Sequence, residues 1–365
     1  MSNILVVGPS LKLGGVERAS SNIANAFAAH GHHITFLALF PQSHFFKLQP
    51  GVNFVEPLNG LNAKRLNIFK TIGWVRKQAS HLKPDVVLVF GYFYSAVTRL
   101  ALAGLKIPVF ASDRASPLFK WPIHVHLFNH MVFTLFPPAG LIAQTGQAAE
   151  KQRAYFKKRT RINVIPNALR QVQLHPDLTR QKTVLAVGRL TDHLKGFDRL
   201  IEAFAKIGNQ DWLLVFAGGD TDGGHLKKQA RELGIYDRVR FLGKVKDLDR
   251  VLAGAGIFVI PSRSEGYPNA LCEAMAAGLP CIAFDFVAGP RDIITHNHDG
   301  LIVENGNTNA LAATIDYLIE NPAERERLGK NAMEISERLN LDKIGGQYLS
   351  FILNTDNGKQ IESKN

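Results

Sequence analysis

The sequence predicts an α/β protein made of two doubly wound domains in series, and three observations carry that prediction. The chain has 365 residues, against about 100–200 for a typical domain. Hydrophobic residues make up 46% and charged residues 20%, a globular composition that excludes disordered, collagen-like and coiled-coil classes. Short apolar runs alternate with longer amphipathic stretches throughout, the pattern of parallel strands covered by helices on both faces.

The elements follow in order. The run at residues 4–7 comes after Met1-Ser2-Asn3 with no basic n-region, so it reads as a first strand and not a signal peptide. A helix at 17–30 and strands at 34–39, 86–90, 109–111, 141–143 and 162–165 complete the first series. The chain turns polar from there through Gln181, which places a joint near Pro166-Asn167. Strands at 184–187, 213–217, 239–242, 257–260, 281–284 and 301–303 form the second series, with helices at 197–207, 222–233 and 310–320. This gives an N-terminal domain over 1–166 and a C-terminal domain over 167–340. The remainder, 341–365, holds a helix around 342–353, for which crossing back to the first domain is one open course, and a polar tail that reads as frayed. No stretch reaches the ~18 apolar residues of a membrane span. Cys272 and Cys281, the only cysteines, lie in apolar surroundings and read as buried free thiols of a reducing, cytoplasmic setting.

Charge is unevenly spread. The net is +12, yet residues 1–166 hold 19 Lys and Arg against 5 Asp and Glu, a net of +14, while residues 167–365 hold 24 against 26. Such asymmetry points the first half at a polyanion. No zinc-finger spacing, RNP-type aromatic motif or basic region with heptads accompanies it, so the expected partner is an anionic membrane surface and no nucleic acid. Residues 64–83 place Lys64, Arg65, Lys70, Arg76, Lys77 and Lys83 among Leu66, Ile68, Phe69, Ile72, Trp74 and Val75. That is either an interfacial amphipathic helix or a Rossmann helix with a solvated basic face, and the domain-wide charge favours the first. Trp121, His124, Phe128 and Phe133 read as interfacial packing near an acceptor lipid or as a plain core helix.

Three constellations carry chemistry. The densest runs from Ser262 to Gly278 after the strand at 257–260; Pro268 suits a first helical turn and Gly278 a C-terminal cap. The free N–H groups of that helix start, around Gly266, Tyr267, Asn269, Ala270 and Leu271, suit a phosphate. Glu265 and Glu273 either accept hydrogen bonds from sugar and ribose hydroxyls or are a helix-dipole acid and a surface residue. The second is Gly188-Arg189-Leu190 with Lys195-Gly196, a fork and a point charge of the kind a diphosphate calls for, or else a solvated basic loop. The third is Gly14-Gly15-Val16-Glu17, where paired glycines allow close approach of a ligand or form a structural turn; the spacing is not that of the dinucleotide fingerprint. Two signals are set aside. Asp220-Thr221-Asp222 spells a metal-binding D-x-D, but Arg189 and Lys195 already supply positive charge, and no metal is expected. His126 and His130 share a helical spacing without the glutamate of a zinc-protease motif.

Taken together, these residues resemble the retaining glycosyltransferases of family 4, whose GT-B fold sets two facing Rossmann-like domains around a cleft. The match spans nearly the whole chain, adding Ile165-Pro166-Asn167, Phe241-Leu242-Gly243 and Gly300-Leu301-Ile302-Val303 to the motifs above. Ser112-Asp113-Arg114-Ala115-Ser116-Pro117 and Phe284-Asp285 with Gly289-Pro290 look like the branch that adds hexoses or N-acetylhexosamines to lipid-linked oligosaccharides and surface polysaccharides. The resemblance implies a nucleotide-diphosphate sugar donor, UDP-linked, as co-substrate, with no other cofactor. Arg189 and Lys195 would hold the diphosphate, helped by the N–H groups around Gly266–Ala270. Glu273 would hold the ribose and Glu265 the donor sugar. Backbone at 241–245, including Gly243, Lys244 and Val245, with Gly218 nearby, would meet the base, and Gly14-Gly15 would close over the phosphate from the other domain. Many family members carry a histidine where this chain has Asp113; that carboxylate contacts the donor sugar, steers the acceptor, caps a helix or pairs with Arg114. The implied reaction is metal-independent and front-face, carried out at the inner face of the cell membrane. The rivals are a GT-B epimerase or phosphorylase, and a basic membrane- or polyanion-binding module on an inactive transferase fold.

Overall fold

A computed structural model describes residues 1–58, 68–156, 160–219, 223–287 and 289–354. The chain forms two units. The first comprises Met1–Ala115, Phe119–Ala168 and the C-terminal segment from Leu341; the second comprises Ser116–Leu118 and Leu169–Asn340. The division after Ala168 falls two residues beyond the expected joint, and the last helix belongs to the first unit.

In the first unit, β1 (Asn3–Gly8) leads into α1 (Gly15–Ala29), β2 (His33–Ala38) and β3 (Val52–Val55). The chain continues through α2 (Ile68–Leu82), β4 (Val86–Phe90), α3 (Tyr92–Ala101) and β5 (Val109–Ser112). Then come α4 (Ile123–Leu135), β6 (Gly140–Ala143), α5 (Gly146–Phe156) and β7 (Arg161–Val164). The sheet order is β3-β2-β1-β4-β5-β6-β7, and every pair is parallel. The central strands are apolar without a break, as Ile4-Leu5-Val6-Val7 shows, because helices cover both faces. One strand more than expected is present: β3 is an edge strand, only half-buried, with Asn53 interrupting its apolar run.

The second unit contains β8 (Thr183–Val187), α6 (Phe197–Phe204), β9 (Leu213–Ala217), α7 (Gly224–Glu232), β10 (Val239–Phe241), α8 (Leu248–Gly254) and β11 (Ile257–Ile260). It continues with α9 (Asn269–Ala276), β12 (Cys281–Phe284), α10 (Pro290–Ile293), β13 (Leu301–Val303), α11 (Thr308–Glu320), α12 (Pro322–Ala332) and α13 (Ile335–Arg338). Its sheet runs β10-β9-β8-β11-β12-β13, again parallel throughout. Both sheets thus have the dinucleotide-fold order 3-2-1-4-5-6, extended in the first unit by one strand.

The final helix, α14 (Leu341–Leu353), packs on α1 and β4. Its Tyr348 is fully buried between Phe27 and Phe90, and its hydroxyl accepts from Arg114 at 2.5 Å. Among the described residues, no helix is long and apolar enough to cross a membrane. Cys272 and Cys281 are free and buried, and burial pushes the Cys272 thiol up to about 12.

Two sequence expectations need correcting. In the 64–83 segment, residues 64–67 lie outside the described ones, and α2 turns its apolar stripe inward. Val75 is buried, Ile72 and Trp74 pack on the core beside it, and Arg76 donates to the carbonyls of Ala101 and Ala103 at the end of α3. This is the Rossmann-helix reading, with Phe69 the one large apolar residue left exposed among those described in the segment. In α4, Phe133 is buried and Phe128 packs against the same cluster, so neither is a lipid-facing residue.

Candidate functional site

Open parallel sheets bind ligands outside the carboxyl ends of their strands, where the strand order reverses. In the second unit that point lies between β8 and β11. The loop after β8, residues 188–196, starts with Gly188 donating to the Ala217 carbonyl at 2.9 Å and is anchored by the buried Leu190. Asp192 accepts from the Leu194 N–H at 3.1 Å and opens a short 3-10 turn, His193–Lys195. Gly196 ends the turn at φ +65°, where a Cβ would stand 2.0 Å from the Pro261 carbonyl oxygen. Only glycine fits there. The loop after β11 is clamped onto this one: Arg263 donates from its backbone to Leu194 at 2.7 Å and from its side chain to the His193 carbonyl at 2.9 Å. Its guanidinium also forks onto Asp198 at 2.6 and 2.7 Å. Charge-assisted, paired bonds of this kind fix geometry as well as energy.

This clamp brings together two residues that the sequence placed in separate constellations. Lys195 Nζ lies 2.8 Å from Glu265 Oε1, and Ser262 Oγ donates to the same oxygen at 2.7 Å. Both ionic side chains are largely buried. Arg189 stands differently: its side chain is 78% exposed and meets Asp192 at 3.0 Å. Exposed ion pairs of this sort are weak, so an arriving phosphate can displace one.

Helix α9 follows. Pro268 is its N-cap, one position earlier than expected, and no side chain caps that end. Its first turn therefore offers N–H groups without intrahelical partners. Gly278 closes the helix at φ +74°, with Leu279 donating to Ala274 and Gly278 to Met275, as the sequence suggested. Tyr267 and Leu271 are buried, so their contribution to a ligand would be main-chain only. Burial and the neighbouring Cys272 push the Tyr267 hydroxyl well above its ordinary value.

Glu273 is buried and not the surface residue its alternative reading required. Arg170 Nη2 lies 3.3 Å from its Oε2 while forking onto Asp249 at 2.5 and 2.9 Å, and the Gln173 N–H also donates to Asp249 at 2.9 Å. Burial works to raise the Asp249 carboxyl, but these bonds and the Arg170 charge outweigh it and hold the group below the usual carboxylate range. Sequence reasoning missed Arg170 and Asp249, which lie 79 residues apart with no local signal. Ser262 did have one, since it sits three residues before Glu265 at the head of the same motif.

On the base side, Gly218 at φ +108° presses against Gly188, where a Cβ would stand 2.8 Å from its oxygen. Gly218 donates to the Gly243 carbonyl at 2.7 Å, which ties the 241–245 segment to the same edge. Lys244 is exposed there and Val245 half-buried. Among the described residues no group of three or more His, Cys, Asp or Glu is placed to hold a metal; Asp220 and Asp222 lie outside them.

In the first unit, Gly14 is the N-cap of α1, and a Cβ on it would meet the Glu17 carboxylate at 2.1 Å. A Cβ on Gly15 would meet nothing within 4 Å. Asp113 Oδ1 accepts from the Ala115 N–H at 3.0 Å within a turn that no helix follows directly, so it is not a helix cap, while Arg114 is engaged with Asn167 and Tyr348. Burial pushes the Asp113 carboxyl up, against the pull of the Ala115 and Arg114 N–H groups and of the Arg114 and Lys151 charges. His126 and His130 both lie against the Tyr155 ring, and His130 Nδ1 is 2.7 Å from its hydroxyl.

Comparison with known proteins identifies the family. Residues 13–170 match the family model described as Glycosyltransferase Family 4, and residues 170–335 match Glycosyl transferases group 1. An uncharacterized glycosyltransferase of Haemophilus influenzae is 27% identical over 91% of this chain and 94% of its own. A Campylobacter jejuni enzyme is 24% identical over 98% and 100%; it is named as an α-1,4-N-acetyl-D-galactosaminyltransferase acting on a diphosphate-undecaprenol-linked saccharide. The crystal structure of Anabaena HepE in complex with UDP shares the fold, with a TM-score of 0.79 at 20% identity over 96% of this chain and 99% of that one.

Proposed function

The chain is a glycosyltransferase, a family 4 domain followed by a group 1 domain, and we propose that it moves a hexose or N-acetylhexosamine from a UDP-sugar to a lipid-linked oligosaccharide or surface polysaccharide, with retention of configuration. The observation that carries this reading is the Lys195–Glu265–Ser262 cluster at the switch point of the second sheet, with Arg189 beside it in the same loop. The Campylobacter relative supports the acceptor class by its name, and HepE the nucleotide.

In this reading the bond from the anomeric carbon to the β-phosphate oxygen breaks, and the acceptor oxygen bonds to that carbon on the same face. The departing phosphate oxygen takes the acceptor proton. Lys195 and Arg189 stabilise the charge that develops on the diphosphate, so no metal is required. Lys195 is already beside a carboxylate, and the diphosphate arrives as a second anion for it to serve. Glu265 then faces the hydroxyls of the donor sugar, on whose ring positive charge develops as the bond breaks. Glu273, held by Arg170, takes the ribose. Asp113 steers the acceptor. The enzyme works from the cytoplasmic side, peripherally on an anionic membrane.

The test combines ligand and kinetics. A thermal-shift panel of UDP-, GDP- and ADP-sugars should single out the UDP-sugars, since ligand at ~100 times its dissociation constant adds ~2.7 kcal/mol. The ribose changes little in the transition state, so Glu273→Ala should raise donor KM more than it lowers kcat. Glu265→Ala should do the reverse, with Glu265→Gln between the two. Unchanged kcat in Glu265→Ala, or a product of inverted anomeric configuration by NMR, would refute this assignment.

A further inference from the structure

The peripheral attachment proposed above leaves open which surface makes it, and α2, the helix the sequence singled out, spends its apolar residues on the core. Helix α4 does the opposite. Its sequence, Ile123-His124-Val125-His126-Leu127-Phe128-Asn129-His130-Met131-Val132-Phe133-Thr134-Leu135, contains no Asp, Glu, Lys or Arg. Asn129, Val132 and Phe133 point inward, with Phe133 on Phe156 and Tyr92. Four large apolar residues at a strict spacing of four point outward: Ile123 is 70% exposed, Leu127 58%, Met131 51% and Leu135 65%. Side chains at i and i+4 are neighbours on a helix, so these form one ridge. A water-facing helix ordinarily carries charge on that face, and a contiguous exposed apolar patch marks an interaction surface.

We infer that the outward face of α4 is the surface on which this enzyme lies against an anionic bilayer. The ridge is bordered at its start by aromatic rings suited to a headgroup boundary: Phe119, half-exposed, meets Trp121 edge-on at 4.9 Å, and Trp121 stacks on Tyr92 at 5.3 Å. Bases flank it. Lys120 is exposed just before the helix, and α5, which leans on α4 through Tyr155, presents Arg153. Lys151 is exposed on the same helix. An apolar ridge with a basic border is what an anionic interface recognises. A second copy fits less well, because a two-fold contact across this ridge would set the same bases against each other.

The inference rests on the peripheral reading, and its test separates the two. Cys272 and Cys281 are buried, so a Leu127→Cys variant takes a polarity-sensitive fluorophore selectively. Vesicles of phosphatidylcholine with 30% phosphatidylglycerol should shift its emission to the blue. The same probe at Tyr317→Cys, an exposed position on α11, should not respond. In sedimentation with those vesicles, Leu127→Glu/Met131→Glu should lower the bound fraction at least ten-fold, while the thermal shift with UDP-sugar stays as in the wild type. Wild-type binding that the double variant retains overturns the α4 surface and leaves peripheral attachment standing. No wild-type binding to anionic vesicles overturns both. A wild-type dimer by light scattering that the double variant abolishes, with vesicle binding intact, assigns the ridge to a second copy and overturns the inference.

Discussion

The loop after β1 and the loop after β8 occupy the same place in two copies of one topology, and they are chemically different. After β1 the chain offers Gly14 with the Glu17 carboxylate folded over it, and an open Gly15. After β8 it offers Arg189 and Lys195, wound around a glycine that no other residue can replace. The strand order creates a place for a ligand at each switch point, and the loop residues decide what that place can do. The cations beside β8 make the second unit the one suited to a diphosphate. The first unit holds the excess positive charge of the chain, yet where the second loop has Lys195 and Arg189 its counterpart has Lys12 alone, followed by the Glu17 carboxylate in the first turn of α1.

The comparison breaks most sharply at Lys195. Lys195→Ala should lower kcat by ~10²–10³, as loss of a preorganised charge donor does, with Arg189→Ala tending the same way and activity persisting in EDTA. Near-normal turnover in the lysine variant would make the two loops equivalent after all.

The glycines give a second measure, this time in stability. Gly196→Ala puts a side chain at a left-handed φ and against the Pro261 carbonyl, so a loss on the order of 2–3 kcal/mol is expected in urea unfolding. Gly15→Ala, with open space around it, should stay within about 0.5 kcal/mol. If donor KM nevertheless rises in Gly15→Ala, the glycine serves a ligand and not the fold.

The smallest effect concerns the buried carboxylates behind the second loop. Asp249 is held below the usual carboxylate range in the folded chain, so it binds fewer protons there than when unfolded. Its contribution is therefore present above pH ~4, the ordinary carboxylate value, and lost as pH falls through the folded value. Melting temperature followed from pH 6 to pH 3 should drop more steeply in the wild type than in Arg170→Ala, which lacks the contribution at every pH.

What could be read in the sequence follows from the same contrast. Strands such as Val86–Phe90 were legible because both faces are covered and every position is apolar. Val52–Val55 was not, since an edge strand needs no unbroken apolar run and Asn53 interrupts it. The residue types of the proposed site could be singled out in the sequence, because a diphosphate calls for cations wherever they lie in the chain. Their pairing was not: Lys195 and Glu265 meet across 70 residues, and the Gly196 turn that sets them together is defined only against the Pro261 carbonyl. The basic segment around α2 misled, because a count of apolar residues does not say which way they face, whereas α4 conceals an outward ridge in a sequence with no Asp, Glu, Lys or Arg to mark its faces.

The place of α14 has a consequence for how the protein is made. The first unit is discontinuous: its last helix is translated only after the whole of Leu169–Asn340 has been synthesised. At ~5–20 residues per second, that interval lasts roughly ten to forty seconds. Throughout it, the surface on Phe27 and Phe90 that Tyr348 covers stands open, and Arg114 waits for its hydroxyl partner. The second unit, continuous apart from three residues, can finish first. The half synthesised first is thus the half completed last, and a nascent chain stalled before Leu341 leaves the first unit unsealed.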